Sequence, residues 1–182
     1  MKIVGIDYSI TSPAICIYDN SLPFSFENCV FKFLTGKKKY ARKIVTNIEG
    51  QLFEDYQNDT QRFDLISEWA IEQIKGADVV ALEGYAFSAQ GLIFNLAENC
   101  GILKHKIYKR NIPLVILEPA KIKKVGHGKG NCNKDMMHEA FVSQTKINLQ
   151  EMFEQKTLSN PVTDLVDAYF IVKTYMVNEI SN

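Results

Sequence analysis

The sequence predicts a mixed α/β fold in which a single five-stranded sheet carries helices on both faces. Three apolar stretches near the N-terminus follow one another with short connections, as antiparallel neighbouring strands do. Segments with helical periodicity then alternate with two further apolar stretches, which are expected to join the sheet as parallel strands. The chain has 182 residues, of which 46% are hydrophobic, so it suffices for one sizeable core but not for two. We therefore expect residues 1–182 to form a single domain.

The strands are predicted from short apolar runs that end at turn residues. KIVGIDYS is apolar on both faces and provides the first strand, and SPAICIYD follows it after a tight Thr-Ser-Pro turn. CVFKFL provides the third strand, whereas LTGKKKYARKI is expected to be a charged loop. ADVVALEG is predicted to be a buried strand, and PLVILEP is the last strand of the sheet.

The helices are predicted from apolar residues at helical spacing and from their end signals. RFDLISEWAIEQIKG keeps that spacing until Gly76, and a long helix is expected at about residues 89–110. A short helical turn at about residues 120–124 precedes the glycine-rich loop GHGKGNCN, after which a helix begins at Lys134.

The composition excludes several classes of protein. The net charge is zero, which argues against a general nucleic-acid coat protein. No apolar run approaches the length of a membrane span, and the first ten residues do not read as a signal peptide, so a cytoplasmic protein is expected. The four cysteines form no C-x-x-C pair, which argues against a disulfide framework or a zinc ribbon.

Basic residues are concentrated in one part of the chain. Between residues 104 and 134 there are nine of them: Lys104, Lys106, Lys109, Arg110, Lys121, Lys123, Lys124, Lys129 and Lys134. This asymmetry favours a basic face that binds a polyanion, although a solvated helix and loop would give the same pattern.

Two acidic residues stand in strands where the pattern otherwise demands aliphatic side chains. Asp7 shares a face of the first strand with Ile3 and Gly5, and Glu83 ends the apolar run VVALE. Isolated carboxylates in such places are costly to ionise and need a partner, strong hydrogen bonds or a metal. Taken singly, Asp7 would also suit the turn that follows it, and Glu83 would suit a loop cap.

The last helix adds two more carboxylates. Asn160 is expected to cap it, with Pro161 in its first position, and Asp164 and Asp167 then lie one turn apart on the same side. Alone, they would simply favour the positive N-terminal end of a helix. Together with the two strand acids, however, they form a set with no matching basic residues in the same segments.

A cluster of carboxylates is best neutralised by hard divalent cations. Mg²⁺ and Mn²⁺ prefer oxygen ligands and keep open positions for water and phosphate oxygens. Two such ions a few ångströms apart activate a water and stabilise the leaving oxygen of a phosphodiester. The acids therefore favour nuclease chemistry.

Four motifs in order resemble a known family. GIDYS near the N-terminus, ALEGYAFSAQG after an apolar strand, EPAKIKKVGHGKGNCNKDMM and DLVDAYFI together resemble the RuvC-like branch of the RNase H-fold nucleases, the four-way (Holliday) junction resolvases. The resemblance runs over nearly the whole chain, and the GKGNCNK form of the loop is most similar to resolvases of phage or viral origin. It implies an RNase H-like sheet of three antiparallel strands followed by two parallel strands.

The resemblance also implies roles for individual residues. The family's acidic metal-binding quartet corresponds to Asp7, Glu83, Asp164 and Asp167, and its two functional lysines correspond to Lys121 and Lys134. An ammonium group near the scissile phosphate would stabilise the charge that develops in phosphoryl transfer. The family implies two Mg²⁺ ions in each active site, with Mn²⁺ as a substitute, and products that carry 5′-phosphate and 3′-hydroxyl ends.

Other side chains are expected to contact branched DNA. The family places an aromatic residue shortly after the strand glutamate, where Tyr85 and Phe87 stand here, and an aromatic ring stacks well on an unpaired base. Phosphates are expected to be held without base readout by Lys37, Lys38, Lys39, Lys123, Lys124 and Lys129. The helix after Glu83 has surplus apolar residues, which the family uses to form a homodimer; in a monomer, the C-terminal helix would cover them.

The leading interpretation is a Mg²⁺-dependent endonuclease for four-way DNA junctions, located in the cytoplasm, or in the host cytoplasm if it is phage-encoded. One alternative is an ATP-dependent phosphotransferase of the actin-like fold, which also begins with an aspartate after its first strand. That class needs a second phosphate loop and an adenosine-binding glycine motif, which are not evident in this sequence. A catalytically inert junction-binding module is the other alternative, and the complete set of four acids argues against it.

Overall fold

The computed structural model describes residues 1–84 and 93–180, which form one mixed sheet with helices on both faces. The strands are β1 (Lys2–Asp7), β2 (Ala14–Asp19), β3 (Cys29–Thr35), β4 (Lys43–Val45), β5 (Ile48–Leu52), β6 (Val79–Glu83) and β7 (Leu114–Leu117). The helices are α1 (Asp59–Gln73), α2 (Ile93–Lys109), α3 (Pro119–His127), α4 (Lys134–Thr145), α5 (Leu149–Met152) and α6 (Val162–Ile180). None of the helices in these described ranges is long and apolar enough to cross a membrane.

The strand order is β4-β5-β3-β2-β1-β6-β7, and it confirms the predicted α/β class. Strands β1, β2 and β3 form an antiparallel meander, as the short connections between them predicted. Strand β6 then pairs in parallel with β1, and β7 pairs in parallel with β6. On the far side of the meander, β5 is parallel to β3 and β4 is antiparallel to β5.

The predicted number of five strands is wrong, because β4 and β5 lie within and just after the segment that was expected to be a charged loop. These two strands form the edge of the sheet. In β5 only Ile48 and Gly50 are buried, so the buried face offers one aliphatic side chain and one glycine. The basic residues that precede Ile48 and the missing side chain at Gly50 together hide the alternation by which strands are recognised.

Two helix boundaries also differ from the prediction. Helix α3 has nine residues rather than one short turn, so Gly126 and His127 are helical instead of lying in the glycine-rich loop. Gly128 ends this helix with a left-handed φ of 93°, which glycine adopts without steric cost. Helix α6 begins at Val162, one residue after Pro161, which is within the usual variation of helix ends.

The sheet separates two apolar cores. On one face, side chains of β1 to β3 and β6 pack against α3, α4 and α6. On the other face, Val4 and Ile6 of β1 pack against α1 and α2. Because successive residues of a strand point to opposite faces, Ile3, Gly5 and Asp7 all lie on the α6 side.

Gly5 lets α6 lie unusually close to β1. A Cβ atom at this position would be 2.7 Å from Val172 Cγ2 and 2.8 Å from the carbonyl oxygen of Ala168, distances that real Cβ atoms do not show. The close approach places the first turns of α6 directly over the C-terminal end of β1. It therefore determines which side chains of α6 meet Asp7.

Candidate active site

Four carboxylates meet at the C-terminal ends of β1 and β6. These strands are parallel neighbours, so their last residues, Asp7 and Glu83, lie at the same edge of the sheet. The first turns of α6 cross this edge and contribute Asp164 and Asp167, which are three residues apart on one side of the helix. All four side chains line one pocket with a volume of about 530 Å³. The structure thus brings together the acids that the sequence singled out, and their catalytic and metal-binding roles stay predictions.

The carboxylates raise one another's proton affinity. Burial raises the pKa of Asp7 well above its ordinary value, and repulsion from Asp164, Asp167 and Glu83 raises it further, while Lys134 opposes the change. The pKa of Asp167 is raised to about 7, first by burial and then by the charge of Glu83. Such shifts mark a site where negative charge exceeds what the protein itself neutralises.

The other two acids are shifted in the same direction. Burial raises the pKa of Glu83, with Lys123 and then Lys134 acting against it. Burial also raises the pKa of Asp164, against hydrogen bonds from Ser12 and Thr163 and the charge of Lys134. The lysines of the pocket therefore compensate only part of its negative charge.

Lys134 and Thr163 form a polar network around Asp164. The ammonium nitrogen of Lys134 lies 3.6 Å from Asp164 Oδ1 and donates to Thr163 Oγ1 at 3.3 Å. Thr163 Oγ1 in turn lies 2.8 Å from Asn160 Oδ1 and 3.2 Å from Asp164 Oδ1. A hydroxyl has one proton, so Thr163 donates to only one of these two acceptors at a time.

Asp164 keeps one oxygen unused. Its side chain is buried, and Oδ2 has no hydrogen-bond partner within the part of the chain that the structure describes. A buried carboxylate oxygen without a donor is costly, and native structures rarely leave one so unless something else binds there. The free oxygen belongs to a residue that lines the acidic pocket.

The two predicted functional lysines are placed differently. Lys134, the first residue of α4, lines the pocket as expected. Lys121 is exposed on α3 and is not among the residues that line the pocket, whereas Lys123 is. Residues two apart on a helix point to different sides, so only one of these two lysines is able to face the acids. Lys124 and Lys129, expected to bind phosphates, are also exposed outside the pocket.

Comparison with solved structures identifies the fold. Thermus thermophilus RuvC matches all of this chain and 96% of its own length, with a TM-score of 0.61 and 17% sequence identity. In its complex with a Holliday junction substrate it matches over the same shares, with a TM-score of 0.62 and 14% identity. The Fowlpox virus resolvase, solved with substrate Holliday junction DNA, matches over 99% of both chains, with a TM-score of 0.54 and 14% identity.

The chain has the fold of the RuvC-like resolvases. No protein-family model matches it, and no curated protein matches its sequence. The match confirms, at the level of the fold, the resemblance to RuvC-like resolvases that the four motifs carry.

One face of α2 is left uncovered by the residues that the structure describes. Phe94 is 79% exposed and Tyr108 is 75% exposed, and a Cβ atom at Gly101 would meet nothing within 4 Å. Helix α6 packs on the opposite side of the sheet from α2. It therefore does not cover the surplus apolar residues of α2, as was expected for a monomer. Tyr85 and Phe87, the predicted stacking residues, lie outside the described residues.

The donor chemistry of the pocket suits a hard divalent cation. Its four acids offer only oxygen ligands, and Asp164 Oδ2 has no partner among the described residues. As positioned, no three His, Cys, Asp or Glu side chains among residues 1–84 and 93–180 are gathered closely enough to hold a metal ion. Mg²⁺ does not need such a cage, since it usually keeps several waters and binds through one or two carboxylates and substrate phosphates. The donor chemistry of the four acids therefore fits the ion.

Sequence reasoning missed the hydroxyl and amide groups of the pocket. Ser9, Thr11 and Asn160 line it, and Ser12 opposes the rise in the pKa of Asp164 that burial causes. The signal was present in the run of hydroxyl residues in YSITS, directly after Asp7. Hydroxyl residues are also common in turns, so their type alone does not distinguish a pocket from a loop.

Proposed function

We propose that this chain is a metal-dependent, structure-selective endonuclease that cleaves phosphodiester bonds in four-way DNA junctions. It uses Mg²⁺, or Mn²⁺ in its place, with two ions in each active site, and it leaves 5′-phosphate and 3′-hydroxyl ends. The observation that carries the proposal is the convergence of four carboxylates from three separate elements in one open pocket.

The resolvase fold supports the choice of substrate. Two of the similar proteins were solved with Holliday junction DNA, and each matches nearly the whole of this chain. An acidic pocket is unsuited to a phosphodiester unless cations accompany it, because the carboxylates and the phosphate repel each other. Fold and charge together therefore favour a nuclease that binds its cations and its DNA jointly.

Each residue of the pocket has a separate task. Asp7 and Glu83, fixed at the ends of adjacent strands, and Asp164 and Asp167, fixed on α6, would hold the ions. When bound, the ions supply activation of the attacking water and stabilisation of the leaving oxygen. Lys134 is close enough to Asp164 to hold it in place, and its charge would stabilise the transition state of a phosphodiester bound in the pocket.

The exposed face of α2 supports a homodimer. A junction with two-fold symmetry is cut in two strands, so a two-fold dimer would present one pocket to each. Phe94 and Tyr108 are large exposed apolar side chains on the same helix. Replacing Phe94 by aspartate should shift the mass measured by light scattering from a dimer to a monomer, whereas a monomeric wild-type chain would refute this part of the proposal.

The test is a cleavage assay on matched DNA substrates. The chain should nick a synthetic four-way junction in Mg²⁺, leave a linear duplex of the same sequence intact, and be inactive in chelator. End analysis of the products should give 5′-phosphates. A chain that binds the junction but never cuts it would be an inert binding module instead.

The site assignment is tested by variants that keep the shape of the side chain. Asp7→Asn and Glu83→Gln should abolish cleavage and leave junction binding measurable. The exposed acid Asp55, in the loop before α1, provides the matched control, and Asp55→Asn should cleave at the wild-type rate. Normal cleavage by the Asp7 variant would refute the assignment.

A further inference from the structure

A second charged surface lies next to the acidic pocket. The basic turn, residues 37–43, has five cations in seven residues: Lys37, Lys38, Lys39, Arg42 and Lys43. All five are exposed, and no acidic residue occurs between Glu27 and Glu49. Lys43 faces Glu49 across the β4–β5 pair, so its charge is partly compensated. The other four cations of the basic turn have no acidic residue close to them in the sequence.

Tyr40 holds two of these cations in a defined place. Its side chain is only 4% exposed, its hydroxyl donates to the carbonyl oxygen of Phe153 at 3.3 Å, and the two rings lie 5.4 Å apart. The ammonium nitrogens of Lys39 and Lys37 lie 4.5 Å and 5.7 Å from the centre of the Tyr40 ring. Both distances are within the range of a cation–π attraction, which offsets part of the repulsion between the two charges.

The backbone of the basic turn is also fixed. The amide of Gly50 donates to the carbonyl oxygen of Arg42, and a Cβ atom at Gly50 would lie 2.2 Å from the carbonyl oxygen of Tyr40. The turn is therefore pressed against β5 at a distance that only glycine permits. A rigid turn presents its side chains with less loss of conformational entropy when a ligand binds.

The two lysines carry charge that the described residues do not neutralise. Neither Lys37 nor Lys39 has a carboxylate within ion-pair distance in residues 1–84 and 93–180. By contrast, Lys32 on the neighbouring strand β3 pairs with Glu49. The cations over Tyr40 are thus preorganised for an anion that comes from outside the chain.

The basic turn adjoins the acidic pocket. The ammonium nitrogen of Lys37 lies 3.4 Å from the carbonyl oxygen of Asn160, and Asn160 lines the pocket together with Asp164. A DNA strand places its phosphates about 3.4 Å apart along the helix axis. A strand that enters the pocket therefore carries further phosphates past its edge, where Lys37 lies.

We propose that Lys37 and Lys39, held over Tyr40, form a clamp for the backbone phosphates of the DNA strand that flank the bond to be cut. The clamp rests on the proposed function, because it takes the same strand that enters the acidic pocket. It recognises phosphate charge and carries no base preference. The clamp fixes the position of the DNA strand relative to the four carboxylates.

The clamp is tested by the salt dependence of binding. Junction binding is measured by fluorescence anisotropy in chelator over a series of KCl concentrations, so that cleavage does not interfere. Each phosphate contact contributes about 0.9 to the slope of log affinity against log salt. The double variant Lys37→Ala/Lys39→Ala should lower that slope by about 2, and Lys37→Arg/Lys39→Arg should restore most of it.

The control variant changes the same number of charges elsewhere. Lys2 and Lys75 lie together at the opposite end of β1 from Asp7, where Lys2 donates to the carbonyl oxygen of Lys75. Lys2→Ala/Lys75→Ala should leave the slope unchanged. Equal slopes for the wild type and the clamp variant, with junction cleavage intact in the wild type, would overturn the clamp alone. A wild-type chain that does not bind the junction would overturn the clamp and the proposed function together.

Discussion

Replacing Asp167 by asparagine should stabilise the metal-free protein while it abolishes cleavage. Asp167 is half-buried near Glu83, and its pKa is raised from 3.8 to about 7. At about 1.4 kcal/mol for each pH unit, the ionised side chain costs the folded state roughly 4 kcal/mol at neutral pH. Asparagine is neutral and nearly the same shape, so it removes this cost, while its amide still has to be accommodated. Roughly 4 kcal/mol is therefore an upper limit for the gain.

The gain should depend on pH in a defined direction. Because the folded-state pKa of Asp167 lies above its unfolded value, the folded chain binds more protons between about pH 4 and pH 7. Stability of the wild type therefore falls as the pH rises through that window and levels off above it. The variant lacks this group, so its advantage should be smallest near pH 4, grow through the window and be largest at pH 8.

Thermal unfolding followed by circular dichroism measures the effect. In chelator at pH 8, a gain of about 2 kcal/mol, half the limit, corresponds to an increase in Tm of roughly 4–8 °C for a chain of this size. Asp55→Asn, at an exposed position, should leave the Tm unchanged. Mg²⁺ should raise the Tm of the wild type more than that of the variant, because the ion binds the carboxylate. A lower Tm for Asp167→Asn at pH 8, or a difference in Tm that is the same at every pH, would show that the ionised Asp167 does not destabilise the folded chain.

Three further substitutions test other parts of the structure. Lys123→Ala should slow single-turnover cleavage more than Lys121→Ala, because only Lys123 lines the pocket; equal losses would contradict this placement. Thr163→Val should slow cleavage about tenfold, the equivalent of one oriented hydrogen bond of about 1.4 kcal/mol, while Thr163→Ser should retain the rate. Gly5→Ala should lower the free energy of unfolding in urea by about 1–3 kcal/mol, because α6 has to move away. Gly36→Ala, where a Cβ atom meets nothing within 4 Å, is its control and should have little effect.

The acids of the pocket were predictable from the sequence because they stand where apolar residues belong. Asp7 and Glu83 interrupt buried strands, and a parallel pair of strands brings their ends to one edge of the sheet. Asp164 and Asp167 are three residues apart, and this spacing alone predicts that they lie on the same side of the helix. The strand and helix positions of these acids thus follow from local patterns, whereas the pairing of β1 with β6 does not.

The rest depends on contacts that no local pattern contains. Whether Lys121 or Lys123 faces the acids depends on the rotation of α3, which was expected to be a single turn. The approach of α6 to Gly5 depends on the packing of two elements that are far apart in the chain. The hairpin of β4 and β5 was not predicted because its buried face contains Gly50, which has no side chain to indicate a strand.

The central claim is that the four carboxylates bind divalent cations, and anomalous X-ray scattering from crystals soaked in Mn²⁺ tests it directly. We expect a peak in the acidic pocket within coordination distance of Asp7 and at least one of its three acidic neighbours. In crystals of Asp7→Asn the peak should weaken or vanish. A pocket without any peak, at a Mn²⁺ concentration that supports cleavage in solution, would contradict the account.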